Sequence, residues 1–168
     1  MLSKLTNIIK SSKILIYLFF LLSILLLWLM VIAPIHEGSH AIVCKLMGAK
    51  PILQIFPHPS INCDIGGKSQ FSYFLLLVIP FILYLFLTFL IFYKLNIINK
   101  KFTFIFMTSI LLDLLWNYFL SPFYNTDFKN IANLSKFYSI LSTILVILLI
   151  VFGISILRKS WQEIMKTN

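Results

Sequence analysis

Residues 14–33 read ILIYLFFLLSILLLWLMVIA, and the chain runs straight on into PIHEGSH at residues 34–40. A helix needs roughly 20 predominantly apolar residues to cross about 30 Å of hydrocarbon. Ile14–Ala33 meets that length without one charged side chain. Lys4, Lys10 and Lys13 precede it, as a basic region precedes the apolar core of a secretory signal. The apolar stretch is too long for a signal, however, and no small-residue cleavage site follows, so it reads as a retained signal anchor.

Working outward, three further apolar runs follow: Phe71–Tyr93, Phe102–Leu120 and Phe137–Leu157. The whole chain of 168 residues is 60% hydrophobic and 11% charged, with 17 Phe. An average soluble domain is about 45–50% apolar and about 25% charged. A soluble surface could not be made from this composition, and a disordered chain is excluded with it. The expectation is an all-α integral membrane helical bundle of about four transmembrane helices, residues 1–168 forming a single multi-pass domain, most simply in the cell membrane. The net charge of +9 is spread over the flanks of the runs, with no basic cluster interleaved with aromatics, so a nucleic-acid partner is not expected. Lys4, Lys10, Lys13, Lys94, Lys100, Lys101, Arg158, Lys159 and Lys166 fall on one side of four crossings. Lys45, Lys50, Lys68, Lys129 and Lys136 fall on the other. The richer side is cytoplasmic by the positive-inside rule, which places both termini there. Tyr138 and Trp161 read as interfacial anchors.

Residues 48–69 form the one sizeable polar stretch and carry Gly48, Pro51, Pro57, Pro59, Gly66 and Gly67. Ile52-Leu53-Gln54-Ile55-Phe56, stopped by Pro57, reads either as a short edge strand or as irregular loop. Cys44 and Cys63 are too few for a disulfide framework and lack C-x-x-C spacing. Cys44, one turn past His40, reads as a buried, apolar-like thiol. A Cys44–Cys63 disulfide is chemically allowed only if this side of the membrane is oxidising.

The chemistry concentrates in His36-Glu37-Gly38-Ser39-His40. Positions i and i+4 share a helix face, so both imidazoles can meet one metal ion, and Glu37 is placed to act as general base. An ionisable residue at membrane depth is expensive and therefore a functional candidate. A catalytic zinc takes three protein ligands and keeps one open position. The extended form H-E-x-x-H-x-x-G-x-x-H fails, since Val43 and Leu46 stand where it needs Gly and His. The remaining acids are Asp64, Asp113, Asp127 and Glu163, and the remaining histidine is His58. Glu163 lies across the membrane. His58 and Asp64 lie in the loop and could swing near. Measured from the nominal span ends, Asp127 matches the level of the two imidazoles, whereas Asp113 sits about 10 Å deeper at 1.5 Å per residue. Asp127 is the favoured third metal ligand with His36 and His40, ahead of Asp64 and Asp113.

The string Ala33–Val43, followed by Lys45-Leu46-Met47-Gly48-Ala49-Lys50, resembles the first motif of the site-2 protease family of intramembrane zinc metalloproteases. The family's second motif sets Asn and Pro ahead of Asp-Gly, and its Asp is the third zinc ligand. Asn117, Pro122 and Asp127 resemble that motif in a degenerate form, with Asn117 further upstream and Phe128 in place of Gly. The resemblance implies Zn²⁺ as cofactor, a small family member, and in many members a site opening towards the cytoplasm, opposite to the charge count.

The expected function is an intramembrane zinc metalloprotease (HExxH type) hydrolysing peptide bonds of membrane-associated substrates, with Glu37 catalytic and the lipid bilayer as its surroundings. The alternative is an inactive homologue, a non-enzymatic metal-binding or partner-binding subunit. A metal-ion path through a small transporter is less consistent, because the fourth run carries no ionisable step. Pro34 is expected to kink the helix or start a new one. Asp113 and Asn117, four apart, are expected to hydrogen-bond each other or to contact substrate or metal. Pro80 interrupts the second run, where proline is tolerated in membrane helices.

Overall fold

The computed structural model describes residues 15, 17–54, 60–64, 66–94, 97–119 and 126–166. Lys4, Lys10, Lys13, Ile55, Phe56, Pro57, His58, Pro59, Leu120 and Pro122 lie outside the described residues. In chain order the elements are α1 (Tyr17–Leu46), β1 (Pro51–Gln54), β2 (Ser60–Cys63), α2 (Gln70–Lys94), α3 (Lys100–Phe119), α4 (Asp127–Leu134) and α5 (Lys136–Lys166). The helices α1, α2, α3 and α5 are each long and apolar enough to cross a membrane. The architecture is the all-α bundle that the four apolar runs call for, with a small hairpin after the first.

Pro34 neither ends α1 nor splits it. Proline has no amide hydrogen to bond back to Met30. The strain is absorbed one turn earlier, in a wide turn over Trp28–Ile32 closed by the Ala33 N–H on the Trp28 carbonyl, five residues back. Helical backbone therefore runs unbroken through His36 and His40. It stops at Gly48, whose φ of +79° suits a residue without Cβ. Gly48 N–H bonds the Lys45 carbonyl and Ala49 N–H the Cys44 carbonyl, the paired bonds of a Schellman ending.

The chain then forms an antiparallel hairpin in which Ile52 opposes Asn62 and Leu53 opposes Ile61. Of the two readings of this stretch, edge strand or loop, a strand forms over Pro51–Gln54, and a second strand pairs with it. Cys44 is not a free thiol: it forms a disulfide with Cys63, their Cα atoms 5.9 Å apart. Spacing along the chain carries no sign of this, because the hairpin has to fold back before β2 reaches the end of α1. Val43, Cys44 and Leu76 make a small buried cluster beneath the hairpin, with Tyr73 and Cys63 at its edge.

The main core lies between α2, α3, α4 and α5, where Phe81, Tyr84, Met107, Ile110, Leu114, Ile131 and Leu149 are all but inaccessible. The helices α3 and α5 approach closely at Gly153, where an added Cβ would stand 3.0 Å from Leu111 Cδ2. Small residues at such crossings let membrane helices share van der Waals contact. Serine and threonine hydroxyls inside the spans bond to carbonyls, Thr108 to Phe104 and Ser109 to both Ile105 and Ile24. Outward-facing Phe19, Phe86, Ile147 and Val151 are all more than half exposed, as lipid-facing side chains would be. The end of α1, the hairpin, the start of α2, α4 and the start of α5 share one end of the bundle. Lys94, Lys100 and the last turns of α5 share the other.

Candidate metal centre

Because α1 is continuous, His36 and His40 stand one turn apart on its buried face, ring centroids 5.0 Å apart. Their Nε2 atoms converge on a single oxygen of Asp127. His36 Nε2 lies 2.9 Å and His40 Nε2 3.1 Å from Asp127 Oδ2. Asp127 is the first residue of α4, whose N-terminal dipole favours a negative charge there. That short helix is strongly amphipathic and is anchored by Phe128 and Ile131. The Phe128 ring packs 4.5 Å from that of Phe81 and 5.1 Å from that of Tyr118. Phe128 and Ile131 thus fasten the helix that carries Asp127 to the core. Burial by itself would raise the Asp127 carboxyl, but while the rings are protonated the hydrogen bonds and charge of His36 and His40 hold it well below the usual carboxylate range.

The donor set suits a metal ion. One ligand atom from each of His36, His40 and Asp127 lies within 4.8 Å of the others. Tetrahedral ligands with bonds of about 2.0–2.2 Å stand about 3.3–3.6 Å apart, so the two histidine–Asp127 contacts need to open by only a few tenths of an ångström. The opposite nitrogen of each ring is also engaged. His36 Nδ1–H donates to Asp113 Oδ2 at 2.8 Å, and His40 Nδ1–H donates to the Leu76 carbonyl at 2.7 Å. Partners of this kind fix the tautomer that leaves Nε2 free for a ligand bond. The His36, His40 and Asp127 group could hold a metal ion.

The other acids fall as follows. Asp113 is not too deep to take part. Its carboxylate lies behind His36, on the ring edge opposite Asp127, because α1 stays helical past Ala33 and that residue does not mark the level of the rim. Asp113 and Asn117 do not join side chains: the Asn117 amide donates to the Asp113 backbone carbonyl at 3.1 Å. Asp64 is exposed and accepts the Gly66 N–H at 3.0 Å, outside the cluster. Glu163 pairs with Lys166 at the far end of α5. Glu37 is half-buried beside the imidazoles, with the backbone of Ile61 from β2 against its carboxylate.

Three participants give little sign of themselves in the sequence. Trp28 Nε1–H and the Tyr84 hydroxyl both donate to Asp113, at 3.0 and 2.9 Å, and the Leu76 carbonyl holds His40. Tyr84 leaves a weak signal as a hydroxyl midway along an apolar run. Trp28 resembles span filler, and a backbone carbonyl leaves no mark in composition.

These residues open into a cavity of about 1170 Å³. Trp28, Leu29 and Trp116 line it with apolar surface, and Asn62, Asn117, Thr126 and Asn130 with polar groups. Among the described residues the buried Thr126 hydroxyl has no hydrogen-bond partner. No protein-family model, no curated protein and no solved structure matches this chain. What can be said of the site comes from its own geometry and chemistry.

Proposed function

We propose that the chain is an intramembrane metalloprotease of the site-2 protease type, with His36, His40 and Asp127 holding Zn²⁺. The observation that carries this reading is the convergence of both Nε2 atoms of the H-E-x-x-H pair on Asp127 Oδ2, with Glu37 at the same cavity. When bound, zinc supplies Lewis-acid chemistry, acidifying water and polarising a carbonyl oxygen. Glu37 takes a proton from the water that adds to the scissile carbonyl carbon. It returns that proton to the amide nitrogen as the C–N bond breaks, leaving a carboxylic acid and an amine. Asn62, Asn117, Asn130 and the Thr126 hydroxyl suit the backbone of a locally unwound peptide, whose amides need new partners once a helix is opened. Trp28, Leu29 and Trp116 suit its apolar side chains. The substrate class is a membrane-anchored protein or peptide.

The basic-residue count supports a multi-pass protein of the cell membrane with both ends in the cytoplasm. The Cys44–Cys63 disulfide lies at the end of the bundle that carries the site, and disulfides persist on the oxidising side of a membrane. Two independent features thus favour a site opening away from the cytoplasm, against the orientation implied by the family resemblance.

Metal analysis of the purified chain is expected to find one zinc, lost in His40→Ala. Glu37→Gln should retain the zinc and lower cleavage of a membrane-embedded reporter peptide about 10²–10⁴-fold. Wild-type protein without stoichiometric zinc, or Glu37→Gln cleaving at the wild-type rate, overturns the reading. Phe128 in the place of the family's Gly favours one other reading, a metal-binding subunit that hydrolyses nothing. In that case Glu37→Gln leaves the biological phenotype unaltered.

A further inference from the structure

The helix α2 carries Pro80 in its interior, and Pro80 is buried. A proline inside a helix has no amide hydrogen for the carbonyl four residues back. Here that carbonyl belongs to Leu76, and it is the one that accepts the His40 Nδ1–H at 2.7 Å. Leu76 and His40 are themselves buried, which shields the bond from bulk solvent. Prolines persist in membrane helices where a neighbouring helix satisfies the carbonyl they free. In this chain the neighbour is the second histidine of the H-E-x-x-H pair.

We propose that Pro80 is a positioning residue for the metal centre. By withholding one amide hydrogen from α2, it hands the Leu76 carbonyl to His40 and fixes that imidazole as its Nδ1–H tautomer, with Nε2 turned to Asp127. The two histidines are then held by unlike means, His36 by the Asp113 carboxylate and His40 by a carbonyl taken out of a helix ladder. An amide at position 80 would reclaim the carbonyl for the helix and loosen the ring. As a statement about metal affinity, the proposal rests on the reading of this cluster as a metal site. As a statement about His40, it does not.

The test uses the full chain in detergent micelles, with Zn²⁺ affinity measured by competition against a chromophoric chelator. Pro80→Ala is expected to weaken Zn²⁺ binding about 10–100-fold, the range seen when an outer partner of a ligand is lost. Its melting temperature should stay level or rise, since alanine favours a helix over proline. Pro80→Val, closer in volume to proline, should show the same loss if the restored amide hydrogen rather than an emptied space is the cause. A purely architectural proline predicts the rise in stability without the loss of affinity. Hydrogen exchange of the His40 Nδ1–H in the metal-free protein reads the hold directly. That proton should exchange slowly with solvent in the wild type and faster in both variants. If the wild type binds no Zn²⁺ but the exchange quickens in the variants, the metalloprotease reading falls and the role of Pro80 stands. If exchange and affinity are both unchanged in the two variants, the proposal is overturned.

Discussion

Asp113 shows how one residue can organise a site without standing at its centre. It is 4% exposed within α3, where an unpartnered ionised carboxylate would be prohibitively desolvated. Three donors meet it from two other helices: Trp28 and His36 from α1, and Tyr84 from α2. Read along the chain, its partner is Asn117, one turn on. In the fold its partners come from across the bundle. Asp113→Asn preserves the shape but leaves a single acceptor oxygen for those donors, so Zn²⁺ affinity should fall about 10–100-fold with the helices intact. Asp113→Ala strands all three donors and should lower stability by about 3–5 kcal/mol, measured by unfolding in detergent. Wild-type affinity in Asp113→Asn would show that the carboxylate is only packing.

At the scale of elements, two departures from regular geometry place the site. The wide turn at Trp28–Ile32 accommodates Pro34 and keeps α1 in one piece, so the i, i+4 pairing of His36 and His40 holds. The close crossing of α3 and α5 brings the carboxylate-bearing helix into the bundle, and Gly153 permits it. Gly153→Leu would drive a branched side chain into Leu111, whose side-chain atoms lie only 3.0–3.3 Å from the point a Cβ at residue 153 would occupy. We expect a loss of about 1–3 kcal/mol from this overpacking, read as a lowered melting temperature in micelles. Because α3 carries Asp113, the same variant should weaken Zn²⁺ binding. A melting temperature equal to the wild type would mean that the α3–α5 crossing is looser than these distances imply.

For the whole molecule the question is which way it faces. The site end bears the hairpin and the Cys44–Cys63 disulfide, and among the described residues the opposite end bears Lys94, Lys100, Lys101, Arg158, Lys159 and Lys166. Removing one cysteine frees the other, so Cys44→Ser exposes a Cys63 thiol at the hairpin. In intact cells that thiol should react with a membrane-impermeant maleimide added outside, whereas the unreduced wild type should not. A tag following residue 168 should stay protected from external protease until the membrane is opened. Labelling of Cys63 only after permeabilisation would reverse the proposed orientation, and with it the side to which the cavity opens.

The amino-acid sequence alone determined what local spacing and bulk composition can carry. Four runs of apolar side chains have one way to satisfy their backbone in lipid, which is to be helical, and an i, i+4 histidine pair shares a face wherever the helix persists. Even the irregular positions Pro34 and Pro80 were visible as letters, though not their consequences. Depth along the spans already favoured Asp127 as the partner of the two histidines; tertiary structure decided how it and the other distant residues meet. Asp127 meets His36 across 91 positions, Asp113 meets it across 77, and Leu76 meets His40 across 36. Periodicity describes neighbours on one element. Which carboxylate faces which ring edge, and which carbonyl a proline releases to whom, depends on how separate helices pack, and that is set by the sum of many weak contacts rather than by any motif.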